Sequence, residues 1–77
     1  MKEDVVGIST QIIKLDSFLK LTGRVLSGGQ AKELIRQGKI SVNSEICLQR
    51  GHKLRNGDIV CIESENTAFR VQEKSSQ

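Results

Sequence analysis

Apolar residues repeat with a helical period between residue 14 and Gly38 and with a period of two beyond it. Leu15, Phe18 and Leu19 fall on one face of a short helix expected over residues 14–23, with Gly23 as its stop. Residues 24–26 lead into a second helix whose apolar stripe is Ala31, Leu34 and Ile35. The ends of this second helix are written into its sequence. Ser27 and Gln30 have the spacing of a capping box, Leu26 and Ala31 that of a hydrophobic staple, and Gly38 is the expected left-handed terminator. Two helices joined by so few residues must pack as a hairpin.

After Gly38, Ile40 and Val42 alternate with Lys39 and Ser41, the pattern of a strand. Asn43-Ser44 makes a tight turn, and residues 45–48 return. Residues 49–55 read as a basic, glycine-containing connection. Asn56-Gly57 is the strongest turn signal; it launches a strand over 58–63, which continues through 64–66 to a last strand over 67–72. Residues 4–9 form a short strand expected to pair with the last one and blunt its edge, and residues 74–77 are expected to fray. The expected class is α+β: two short packed helices, then a small, mainly antiparallel sheet with an extra N-terminal strand, in one domain over residues 1–77.

Seventy-seven residues bury only roughly 60–65% of their unfolded surface, which leaves little room for a deep catalytic cavity. No apolar run is long enough to span a membrane, and the first residues lack a signal-peptide core, so the expected compartment is the cytoplasm. The net charge of +3 is unevenly spread. Residues 14–55 hold nine Lys or Arg against three acids, whereas the remaining residues hold three against six. A polyanionic partner would therefore be met by the middle of the chain. Cys47 and Cys61, both placed on strands, lack the spacing of a zinc site, and with His52 they supply three ligands at most. They read as small core hydrophobes, so neither a metal nor a cofactor is expected.

The start of the second helix adds chemistry to that charge. Gly28 and Gly29 leave its first amides bare, and Lys32 and Arg36 lie one turn apart on the face away from the apolar stripe. Such a helix start is shaped for a phosphate. Asp16 reads as a local cap or a partner of Lys20, and Asp58 as the residue that fixes the Asn56-Gly57 turn. Leu26 to Gln30 also spells the signature loop of ATP-binding-cassette ATPases, but the chain has no phosphate-cradling Gly-x-x-x-x-Gly-Lys-Ser/Thr loop and is far too short for such a domain.

Four fragments in order, Lys-Leu-Asp-x-Phe-Leu-Lys at 14–20, Ser-x-x-Gln-Ala-Lys at 27–32, Ile-x-x-Gly-x-Ile-x-Val-Asn at 35–43 and Gly-Asp-x-Val at 57–60, resemble the RNA-binding domain first described in ribosomal small-subunit protein four. The Ser-Gly-Gly-Gln-Ala-Lys version of the helix start is similar to that of the small stand-alone YaaA/YbcJ-like members. The resemblance covers residues 10–63. It implies that the helical pair and the following hairpin form one basic surface for structured RNA. Lys14 then stands where the family usually has a backbone-contacting arginine, Ser27 and Gln30 at the helix start, Lys32 as the second-helix cation, and Asn43 at the turn before the return strand. Two positions depart from the pattern: Gly28 replaces a common arginine and Ser44 a common glycine.

The expected function is non-catalytic binding of a structured RNA, ribosomal or tRNA-like. Lys14, Arg24, Lys32, Arg36, Arg50, Lys53 and Arg55 would meet phosphates, and Ser27, Gly28, Gly29 and Gln30 would present amides. With two phenylalanines and no tyrosine or tryptophan, both phenylalanines being assigned to packing, recognition should rest on phosphates and shape. The protein is expected to be a monomer without a membrane partner. The competing expectation is an adaptor whose cations meet an acidic patch on the ribosome or on an RNA-modifying enzyme.

Overall fold

The computed structural model describes residues 2–74. The chain runs β1 (Lys2–Ile8), β2 (Ile12–Lys14), α1 (Leu15–Leu21), α2 (Gly28–Arg36), β3 (Ile40–Val42), β4 (Glu45–Ile46), β5 (Lys53–Arg55), β6 (Ile59–Ile62), one 3₁₀ turn (Glu63–Glu65) and β7 (Thr67–Glu73). Five strands form one sheet in the order β1-β7-β6-β3-β4, and β2 pairs with β5 in a separate ribbon. The sheet is antiparallel except at β1, which lies parallel to β7 with Lys2 opposite Thr67 and Ile8 opposite Glu73. The expected pairing of the first strand with the last is thus present, and the fold is α+β.

The core lies between the helical pair and the sheet. Leu15, Phe18 and Leu19 from α1 and Ala31 and Ile35 from α2 meet Ile40, Val60, Ile62, Phe69 and Val71 from the sheet, with Ile8 closing the far side. Both helix stripes therefore point inward as their spacing requires.

Helix α2 begins and ends as its residues dictate. Ser27 Oγ accepts from the Gln30 amide at 3.2 Å. The reciprocal bond is displaced by one residue, because Gln30 Oε1 accepts from the Leu26 amide at 2.8 Å. At the other end Gly38 adopts φ +76°, and the amides of Gly38 and Lys39 donate to the carbonyls of Ile35 and Leu34 at 3.1 Å each, closing a Schellman stop. The expected staple does not form. Leu26 is 92% exposed, and the neighbouring Val25 takes the core position instead.

Residues 49–55 are more than a connection. Lys53–Arg55 forms β5, antiparallel to Ile12–Lys14, and Leu54 is buried between two exposed cations. The residues just before β5 also finish α1, whose N-cap Lys14 has no capping side chain. The amides of Leu15 and Asp16 donate to the carbonyls of His52 at 2.8 Å and Arg50 at 3.1 Å. Asp16 acts locally, accepting from the Ser17 amide at 2.7 Å, and no ion pair to Lys20 occurs among the described residues.

The return strand is also shorter than expected, with β4 ending at Ile46, although the Cys47 amide still donates to the Ile40 carbonyl at 3.0 Å. Ser41 departs from strict alternation: it is buried and donates to Glu63 Oε2 at 2.8 Å. Asp58 fixes its turn as expected, accepting from the Arg55 amide at 2.9 Å. Cys47 sits half-buried just past β4, and Cys61 is buried on β6. Burial pushes the Cys61 thiol up, and the nearby Glu63 carboxylate adds to the effect. Of the segment expected to fray, residue 74 is ordered against β1, its amide donating to the Ile8 carbonyl at 2.8 Å, and residues 75–77 lie outside the described residues.

Candidate nucleic-acid interface

The β2–β5 ribbon is short because each strand has one residue to bury. Leu54 is fully buried and Ile13 packs against the core, so their neighbours face outward. Lys14 lies directly opposite Lys53, and Arg55 follows two residues on, beside Ile12. All three cations are exposed. Like charges opposed across a strand pair are unfavourable in the free protein, and an anion laid over them removes the penalty.

A second group of cations surrounds a notch of about 210 Å³. Lys32 and Arg36 reach it from α2 and Arg50 from the segment before β5, over a floor of Ile35 and Leu48. The two groups are joined through the chain: the Arg50 carbonyl is bound to the start of α1, whose N-cap is Lys14. No carboxylate of the described residues forms an ion pair with Lys14, Lys32, Arg50, Lys53 or Arg55.

The remaining expected residues fall into different roles. Arg24 is turned toward the sheet, 3.5 Å from a Glu65 carboxylate oxygen and 6.0 Å from the centre of the Phe69 ring. Arg36 lines the notch but also pairs with Glu33, its Nη2 donating to the two carboxylate oxygens at 2.8 and 3.0 Å. The Asn43 side chain is engaged within the protein, donating to Asp58 Oδ1 at 3.2 Å and accepting from the Ile59 amide at 3.0 Å. Ser27 and Gln30 cap α2, while the amides of Gly28 and Gly29 have no acceptor among the described residues. A side chain at Gly28 would meet open space.

Leu48 has no place among the sequence-based candidates. It is 63% exposed yet lies over Gly38, where a Cβ would stand 3.9 Å from Leu48 Cδ2. Its position two residues beyond a strand, just ahead of a basic segment, was the available signal.

The sequence profile of the S4 domain matches residues 6–72. A relative from Bacillus subtilis (strain 168), described as a probable ribosome maturation protein RlbA, is 43% identical over 58 residues, which cover 75% of this chain and 82% of the relative. The matched residues take in the ribbon, the helical pair and the sheet from the end of β1 to Gln72, and the chain belongs to the S4 domain family.

Proposed function

We propose that this protein binds structured RNA through its phosphates, and that the setting is ribosome maturation. The observation that carries the reading is the opposition of Lys14 and Lys53 on an exposed ribbon with no paired carboxylate, continued by Arg55 and by Lys32 and Arg50 at the notch. Five cations with no ion pair among the described residues, on adjoining segments, match a polyanion better than they match water. The bare amides of Gly28 and Gly29 add a place for one phosphate where the α2 dipole favours it. Membership of the S4 domain family and the description of the B. subtilis relative support the same setting. Arg24 and Asn43 act at one remove in this scheme, since each already has an internal partner, and Arg36, paired with Glu33, is a lesser phosphate contact.

Release of counterions by about five phosphate contacts gives a slope of roughly −4 for log affinity against log salt. Binding of a labelled structured RNA, titrated at several salt concentrations, measures it. Lys14→Gln and Lys53→Gln should each weaken binding and lower the slope by about one. A flat salt response in the parent protein would overturn the reading.

A further inference from the structure

We propose that the notch between α2 and the segment before β5 holds one unpaired nucleotide of the RNA, its base on Leu48 and the Arg36 guanidinium and its phosphate on Lys32 and Arg50. This rests on the RNA-binding reading above and names what that surface selects. Three features of the notch differ from a plain phosphate groove. Its open apolar surface is Leu48, which lies over Gly38 with most of its side chain exposed above the buried Ile35. Arg36 pairs with Glu33 through Nη2, which leaves the face of its guanidinium open. A guanidinium already paired with a carboxylate is a weaker clamp for phosphate but keeps a flat, open face for a base. Lys32 and Arg50, with no ion pair among the described residues, supply the charge that the base's own phosphate requires.

The volume agrees. At about 210 Å³ the notch is smaller than the roughly 300 Å³ at which drug-sized ligand pockets begin, in keeping with one flat ring system. A neighbouring hollow of about 440 Å³ is bordered by Glu45, Ile46 and His52, with no lysine or arginine in its lining. It lacks the charge to seat a nucleotide's phosphate. The notch thus supplies a base platform to a protein whose two phenylalanines, Phe18 and Phe69, are both buried.

The experiment compares three RNA hairpins of one sequence: fully paired, carrying a single bulged nucleotide, and carrying an abasic residue at the same bulge. The abasic hairpin keeps the flexibility of the bulge and removes the base. The parent protein should bind the bulged hairpin at least about fivefold more tightly than the abasic one, the low end of the range for stacking a single base. Leu48→Ser should bring that ratio close to one. Arg36→Lys, which keeps the charge and loses the plane, should reduce it too, and serves as the reporter if the Leu48 variant fails to fold. Equal affinity for the bulged and abasic hairpins, or a ratio unmoved by either folded variant, overturns the nucleotide site and leaves phosphate binding standing. Failure to bind any of the three at low salt overturns the RNA-binding reading and the nucleotide site together.

Discussion

Two adjacent residues carry most of the conformational cost of the β3–β4 hairpin. Asn43 and Ser44 adopt φ +52° and +75°, the left-handed pair that a two-residue turn demands. Asn43 is compensated, because its side chain spans Asp58 and the Ile59 amide. Ser44 makes no side-chain hydrogen bond among the described residues, and a left-handed residue with a Cβ costs about 1 kcal/mol. Ser44→Gly should therefore stabilise the protein by up to that amount, seen as a rise in the urea midpoint at unchanged slope. Asn43→Ala should move the midpoint the other way by more, since it deletes two hydrogen bonds and a left-handed preference at once. If the glycine variant were less stable than the parent, the hydroxyl of Ser44 would have a role that its geometry does not reveal.

At the scale of elements, the β2–β5 ribbon sets stability against binding. Lys14→Glu places a carboxylate opposite Lys53 and converts a repulsive cross-strand pair into an attractive one. Exposed pairs of this kind are worth about 0.2–1 kcal/mol, so thermal unfolding should shift upward by a few degrees at low salt and less at high salt. RNA affinity should fall in the same variant. A parallel loss of both would mean that Lys14 serves the fold alone.

The ribbon is also where sequence reading fell short. The helices were legible because their boundaries are marked by residues with local jobs: Ser27 caps, Gly38 stops, and each stripe has helical spacing. The ribbon offers three residues per strand and a single alternation, Lys-Leu-Arg, which is too short to separate from a basic loop. Its partner is distant in sequence, and pairing at such range leaves no local trace. Leu26 misled for the opposite reason. The staple spacing was present, but Val25 reached the core first, and the Gln30 side chain fixed the Leu26 backbone in a turn facing solvent. Among the candidate cations, spacing on α2 was sufficient to place Lys32 and Arg36 together. The arrival of Arg50 beside them, and the turning of Arg24 toward Glu65, depend on tertiary packing.

For the whole molecule, the family motifs at residues 10–63 leave out part of the sheet and of the core. β7 lies between β1 and β6 in the sheet and contributes Phe69 and Val71 to the core, while β1 contributes Ile8. A chain of this size has a total stability on the order of 4–11 kcal/mol. Burial of Ile8 alone is worth about 2 kcal/mol, before the loss of a seven-residue ladder is counted. A version starting at residue 9 should therefore lose its cooperative unfolding transition, measured by circular dichroism in urea, although every candidate RNA contact is retained. A sharp transition in that version would show that the helical pair, the ribbon and the four remaining strands of the sheet suffice.

The parallel seam has a mechanical consequence. Lys2 stands beside Thr67 and Ile8 beside Glu73, so the outer ends of these two strands, at Lys2 and Glu73, lie at opposite ends of the seam. Tension applied between them would shear β1 along β7, loading all the bridging bonds at once where a hairpin would unzip one by one. Under such a pull the parallel edge would resist more strongly than an antiparallel hairpin of the same length.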